Sequence, residues 1–415
     1  MNQPIYNIIE DMSPETLVIL RQKIGGDTEN WKVSEIGDGN VNFIFKLQGS
    51  QGQVLIKQAV PYLRCVGESW PLSLKRNYFE FKALEIHSRY ASDYLPKVFS
   101  FNEKSASMVM EFLGEHQILR KGMMAGIQYP HFCEHITDYM ARTLFFTSDL
   151  ALSAASKKEQ MKLFCENVDL CKITEDLIFT DPYRPSPQNH WTSPQLDRLV
   201  QEFQADVELK IAATEMKAKF LSEAQALIHG DLHSGSIMVS EKETKVIDPE
   251  FSFYGPMGFD VGLLLANFLM SYFSQSGYGE KERAQYELWI LVQVEQIWLQ
   301  FSQKFSLLWD ECLNGDYLKP QFSQGTERTK IVKGLRSKYM TQLFTDSIRF
   351  AGCEMIRRIV GLAQVADLEM IEDVDQRALC QKRSMNMARE MMVNFKNYQN
   401  IEHITQLANK MRALA

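Results

Sequence analysis

Leu227-Ile228-His229-Gly230-Asp231-Leu232-His233-Ser234-Gly235-Ser236-Ile237-Met238-Val239 sets a polar loop between two apolar runs, a strand–loop–strand pattern. The loop presents Asp231 and, five residues later, Ser236. In a phosphoryl-transfer site an aspartate orients the attacking hydroxyl and accepts its proton, and an oxygen or amide ligand five residues on can reach a metal. His229 and His233 read as loop scaffolding through hydrogen bonds, with metal ligation as the alternative. A short hairpin later, Val246-Ile247-Asp248-Pro249-Glu250 ends a strand on two carboxylates with one residue between them. Hard oxygen donors at that spacing suit Mg2+. Alone, Asp-Pro-Glu is a common turn. At this distance after His-Gly-Asp it reads as the other half of one site.

Upstream, Val33 to Ile36, Asn42 to Leu47 and Val54 to Gln58 are short alternating or apolar runs separated by glycine-bearing turns, which predicts a three-strand antiparallel meander. Pro71 and Ser73 precede a helical stretch to about Tyr90, and Leu95 to Phe101 and Ser107 to Phe112 read as two more strands. The first turn lies in Ile36-Gly37-Asp38-Gly39-Asn40-Val41-Asn42-Phe43. It joins strand to strand and has no Gly-Lys-Ser/Thr, so it is neither a dinucleotide fingerprint nor a Walker loop. The Gly37–Gly39 hairpin is either a structural turn or a cover whose backbone N–H groups meet nucleotide phosphates. Lys57 ends the apolar run Val54-Leu55-Ile56. Buried, its ammonium needs an anion. Phosphate oxygens qualify, as does a helix carboxylate, with Glu80 the better candidate and Glu85 the alternative; a strand-end lysine facing solvent is the other reading.

Downstream of Phe112 the chain is mostly helical. Pro130 to Ala155 and Lys157 to Cys171 carry helix-period apolar positions, Asp181 to Pro194 reads as a long loop, and Ser193 to Leu227 holds one or two helices. From Val261 the pattern is helical to the C-terminus. The expected fold class is α+β and bilobal. Residues 1–112 form a small lobe with a five-stranded antiparallel sheet and one helix, residues 113–415 a large helical lobe, and a ligand cleft lies between them. The 415 residues, 45% hydrophobic and 23% charged, exclude a mainly disordered chain, and a net charge of −7 argues against a nucleic-acid or anionic-membrane partner. Seven cysteines without CxxC spacing predict reduced thiols rather than a disulfide framework or zinc site. The N-terminus has no basic region followed by an apolar run, and the longest apolar run, from Val261 to about Tyr272, is expected to be too short to span a membrane. The expected compartment is the cytoplasm.

A Gly-x-Gly hairpin, strand lysine, helix glutamate, His-Gly-Asp loop and acidic strand end occur here in the order of the protein-kinase-like phosphotransferases. His229-Gly230-Asp231-Leu232-His233 resembles their aminoglycoside and choline kinase branch. Finer features are similar to the methylthioribose kinase family: Gly37 to Asn42, Asp248-Pro249-Glu250 in place of Asp-Phe-Gly, Gly255-Pro256-Met257-Gly258-Phe259-Asp260, Phe179 to Tyr183, and Phe350 to Arg358. The resemblance runs from about residue 30 to 370. It implies MgATP and 5-methylthioribose as ligands, phosphorylation at the anomeric hydroxyl in methionine salvage, and a homodimer. Gly37, Gly39 and Asn40 would cover the ATP phosphates and Lys57 would bind them. Glu111, Phe112 and Leu113 would be the hinge to adenine. Asp231 would bind the sugar hydroxyl as base, Asp248, Glu250 and Ser236 would hold Mg2+, and Asp260 would brace the loop. Arg357 and Arg358 would lie at the sugar site.

The chain departs from the general kinase pattern at three places. Asn42 replaces the third loop glycine, which is expected to stiffen the loop. Ser236 replaces a metal-binding asparagine, and the aromatic of Asp-Phe-Gly is missing. Adjacent arginines on a helix point about 100° apart, so Arg357 and Arg358 are not expected to face one site equally. Trp70 either covers the methylthio group or is an ordinary packed tryptophan. The alternatives are a kinase of this fold for choline, homoserine or an aminoglycoside, and a nucleotide-binding pseudokinase.

Overall fold

The computed structural model describes residues 9, 12–36, 42–63 and 67–414, so the phosphate-loop candidates Gly37, Gly39 and Asn40 lie outside the described residues. The small lobe begins with α1 (Pro14–Ile24), capped by Ser13 Oγ accepting from Thr16 N. Next come β1 (Lys32–Glu35), β2 (Asn42–Gln48), β3 (Gln53–Ala59), the short hairpin β4 (Tyr62–Leu63) and β5 (Gly67–Pro71), α2 (Lys75–Ala91), β6 (Val98–Asn102) and β7 (Ser107–Glu111). The sheet is five-stranded and antiparallel in the order β1-β2-β3-β7-β6, as expected. Alternation along β2 and β3 sends Phe45, Leu47, Val54 and Ile56 to one face, where Leu20 and Ile24 of α1 cover them. Lys57, one residue on from Ile56, is turned to the opposite face, toward α2. The expectation of one helix in this lobe is therefore corrected: among the described residues α1 and α2 both cover the sheet. The sheet has two apolar faces, and each needs a cover.

The large lobe opens with β8 (Gln117–Ile118), which pairs with β10 (Ile237–Val239); β10 in turn pairs with β11 (Thr244–Val246), and β9 (Ala226–Ile228) pairs with β12 (Phe253–Gly255). Its helices are α3 (Leu119–Ala125), α4 (Phe132–Phe146), α5 (Ala154–Phe164), α6 (Val168–Phe179), α7 (Asp197–Ala205), α8 (Val207–Ser222), α9 (Met257–Ser274), α10 (Glu280–Cys312), α11 (Gly325–Val360), α12 (Ala366–Glu369), α13 (Val374–Val393) and α14 (Ile401–Arg412). The single helix expected over 130–155 is two, because the chain leaves α4 at Phe146 and restarts at Ser153, whose Oγ caps α5. The helix expected over 157–171 also breaks. Asn167 sits between α5 and α6 and donates through Nδ2 to the carbonyls of Glu250 (2.8 Å) and Ser252 (3.0 Å), a docking that a helical path would forbid.

Every residue of α9 is buried, and it packs along the buried half of α11. The close approach needs Gly262, where a Cβ would stand 2.5 Å from the Ser347 carbonyl oxygen. By length and composition Met257–Tyr278 could cross a membrane, being longer than the apolar run read from the sequence, but its most apolar 18-residue window is buried inside the protein. The six described cysteines are unpaired.

Candidate active site

The loop between β9 and β10 is held by its neighbours on every side. Asp260, in the first turn of α9, accepts from His229 N (2.7 Å) and Gly230 N (2.9 Å), in the bracing arrangement expected of it. Gly230 has φ +83°, and a Cβ there would lie 2.2 Å from the Phe251 carbonyl oxygen, so only glycine fits. His229 Nδ1 accepts from Asp231 N (3.2 Å), which leaves Nε2–H to donate to Ile247 O (2.8 Å). His233 Nδ1 accepts from Gly235 N (2.8 Å) and Ser236 N (3.1 Å), so its proton sits on Nε2, 3.3 Å from Asp231 Oδ2. Both histidines are thus scaffold. Burial lowers His233 to about 4, and the imidazole is neutral near pH 7.

Asp231 Oδ1 faces two guanidinia: Arg357 Nη2 at 3.4 Å and Arg358 Nη2 at 3.5 Å. Burial opposes the Asp231 charge, but His233, Arg358 and Arg357 hold its carboxyl far below the usual carboxylate range. The expectation that the adjacent arginines would not face one site equally is corrected here: both stand at nearly the same distance from Asp231 Oδ1. Both side chains are buried in the last turn of α11 and swing to the same side, because Glu354 lies three and four residues before them. Its Oε2 accepts from Arg357 Nε (2.6 Å) and its Oε1 from Arg358 Nε (2.7 Å).

A second charge cluster joins the lobes. Lys57 Nζ donates to Glu80 Oε1 (2.9 Å) on α2 and to Asp248 Oδ1 (2.5 Å). Glu85 is instead on the outer side of α2 with Lys82 and Arg89, so the structure pairs Lys57 with Glu80. Burial works against the Lys57 charge, but Asp248, Glu80 and Glu250 outweigh it and hold the ammonium well above the ordinary lysine range. Burial likewise pushes the Glu80 carboxyl up, with Lys57 pulling against it. Glu250 Oε2 accepts from Asn42 Nδ2 (3.0 Å) and lies 3.7 Å from Arg76 Nε, while Asn42 Oδ1 accepts from Arg76 Nη2 (2.9 Å) and Nε (3.2 Å). Asn42 is thus a buried strand residue that bridges to the large lobe, and the loop it was expected to stiffen lies outside the described residues. Asp248 has the left-handed backbone (φ 62°, ψ 45°), which aims its carboxylate at Lys57 at some conformational cost.

Ser236 connects the two clusters. Its Oγ donates to the Asp231 carbonyl (3.0 Å), and its own carbonyl accepts from Ile247 N (3.0 Å), next to Asp248. The remaining candidates stand apart from both. Glu111 ends β7 with Oε2 accepting from Lys97 N (3.1 Å), Phe112 lies near the Lys46 ammonium, Leu113 is buried, and Trp70 is half-buried in β5. Arg76 and Asn167 carry no signal in the sequence, and neither the bridging role of Asn42 nor the anchoring role of Glu354 is read there, though the helical spacing of Glu354 to the two arginines is a local signal.

Lys57 and Arg76 face the three carboxylates Glu80, Asp248 and Glu250. Among the described residues no group of three or more His, Cys, Asp or Glu forms a metal cage. A pair of carboxylates at the mouth of such a cluster fits Mg2+, which keeps several waters and takes the rest of its shell from a phosphate substrate.

A model of a phosphotransferase enzyme family matches residues 77–290. The chain is 43% identical over 391 residues to methylthioribose kinase 1 of Oryza sativa subsp. japonica, covering 93% of this chain and 90% of that one. It is 45% identical over 387 residues to a methylthioribose kinase of Escherichia coli O45:K1, covering 92% of each. To a methylthioribose kinase of Bacillus cereus strain G9842 it is 42% identical over 358 residues, covering 86% of each.

Proposed function

The chain belongs to the methylthioribose kinase family of phosphotransferases, and from that premise we infer how its own residues serve the reaction. It is a protein-kinase-like enzyme that phosphorylates 5-methylthioribose with ATP. The anomeric oxygen forms a bond to the γ-phosphorus, the bond from that phosphorus to the β,γ-bridging oxygen breaks, and methylthioribose 1-phosphate and ADP leave.

The observation that carries the assignment of roles is the convergence of Arg357 and Arg358 on one oxygen of Asp231. Asp231 accepts the hydroxyl's hydrogen bond. A carboxylate held so far below neutrality is a weak base, so the proton moves late, once the loose transition state has acidified the hydroxyl. The guanidinia supply the positive charge that the transferred phosphoryl group needs. Lys57, fixed by Glu80, binds the ATP phosphates, and Gly37, Gly39 and Asn40 cover them. The backbone of Glu111, Phe112 and Leu113 is the hinge to adenine, residues 1–112 forming the nucleotide lobe and residues 113–415 the sugar lobe. Asp248 and Glu250 would hold Mg2+, with the Ser236 hydroxyl oxygen beside them. When bound, the ion offsets phosphate charge. Trp70 would cover the methylthio end of the sugar. The family resemblance also implies a cytoplasmic homodimer, and sedimentation of the purified chain tests the oligomeric state.

Choline and aminoglycosides are cationic, and two buried arginines at the acceptor position disfavour both. A coupled ADP-release assay with MgATP tests the whole reading, comparing 5-methylthioribose with ribose, choline, homoserine and kanamycin. Turnover with 5-methylthioribose alone is expected. Turnover with another alcohol instead would discard the roles given to Arg357 and Arg358.

A further inference from the structure

Glu354 is fully buried, and both its carboxylate oxygens are taken by arginine Nε groups at 2.6 and 2.7 Å. The same two guanidinia stand 3.4 and 3.5 Å from Asp231, well beyond the 2.7–2.9 Å typical of a charge-assisted hydrogen bond. The arginines are therefore bound by Glu354 and only lean toward Asp231. Two guanidinia side by side would otherwise repel one another, and their nearest remaining carboxylate is Asp231. Planar forks closing on that carboxylate would occupy the oxygens that an acceptor hydroxyl must reach.

We propose that Glu354 is a positioning residue for phosphoryl transfer: it withholds Arg357 and Arg358 from Asp231, keeping that carboxylate open to the hydroxyl and both guanidinia aimed at the incoming phosphoryl group. The inference rests on the roles proposed above for Asp231 and the two arginines. Both Glu354 oxygens are occupied by the arginines, so its loss acts through their geometry, and the Lys57 cluster is spared.

The test uses Glu354→Gln, which keeps size and halves the acceptor capacity, and Glu354→Asp, which keeps the charge on a shorter stem. Both are read by kcat, by KM for 5-methylthioribose and for ATP, and by thermal unfolding. For the glutamine variant kcat is expected to fall on the order of tenfold to 100-fold, the usual scale for misplacing a reacting group. Its KM for ATP should stay within about twofold, on the same argument from geometry. The aspartate variant should recover part of the loss, and it carries the test alone if the glutamine variant does not fold. Arg357→Ala and Arg358→Ala are measured alongside. Lost turnover in the arginine variants with unchanged kcat and sugar KM in folded Glu354 variants overturns the inference. A loss spread equally over ATP and sugar parameters, tracking lost thermal stability, also overturns it. Unaffected arginine variants would instead remove the reading beneath it.

Discussion

Asn42 and Glu250, 208 positions apart in the chain, share a buried hydrogen bond of 3.0 Å across the two lobes. Asn42 begins β2, and Glu250 follows Asp248 and Pro249 at the acidic strand end. The start of β2 is thereby tied to a carboxylate proposed to hold the metal, with Arg76 completing the triangle.

Asn42→Ala removes the donor to Glu250 and an acceptor of Arg76. A buried polar group that loses its partner costs about 1–3 kcal/mol, and urea unfolding should show a loss in that range. The Mg2+ concentration giving half-maximal activity should rise as well, since Glu250 is no longer aimed. A variant with parental stability and an unmoved Mg2+ titration would deny the bridge any role.

Asp231→Asn keeps the shape of the loop and removes the acceptor charge. Turnover should fall by roughly 10²–10⁴, the range for losing a general base. ATP binding, followed by calorimetry, should stay close to the parent, because Asp231 belongs to the sugar cluster and not to the Lys57 cluster. Near-normal turnover would sink the assignment.

Lys57→Met leaves Glu80 and Asp248 without their shared cation. Breaking a buried pair by removing one partner costs about 3–5 kcal/mol. The sign of the pH dependence follows from the carboxylates. Without Lys57, burial raises the folded-state Glu80 carboxyl above its unfolded value, so the protonated form stabilises the fold and stability falls as pH rises. Denaturant midpoints at pH 5 and pH 8 check this: the gap between variant and parent should be narrower at pH 5.

Much of this was readable in the sequence, for identifiable reasons. The strands of the small lobe are apolar runs set off by turn residues, and several chemistry-bearing residues sit in short loops whose spacing is set by the strands that flank them. Lys57 and Glu80 could be paired in advance because a buried ammonium demands a carboxylate and α2 offers few. Asn42 and Arg76 could not, since their partner lies some two hundred residues away and no local pattern marks it. Helix ends failed where the break is made by docking, as at Asn167, rather than by glycine or proline. Helical angle alone predicts that the two arginines face apart, whereas long side chains anchored by Glu354 converge from adjacent positions.

Acid should unfold the protein through two buried histidines. His233 is neutral against Asp231, and His87, on α2, is fixed between Tyr139 Oη and the Leu227 carbonyl, each at 3.1 Å. Burial lowers both from 6.5 to about 4. A lowered folded-state value means that the unfolded chain takes up the proton first. The stabilising contribution is therefore complete above pH 6.5 and is lost as pH falls toward 4. At 1.36 kcal/mol per pH unit each histidine accounts for on the order of 3 kcal/mol across that window. His87→Gln, which has no titrating ring, should flatten the fall in denaturant stability between pH 6.5 and 4 by about that amount, since it lies away from the sugar cluster. An unchanged slope would show that His87 is not protonated on unfolding in this range, and the acid sensitivity would then belong to His233 and the carboxylates it faces.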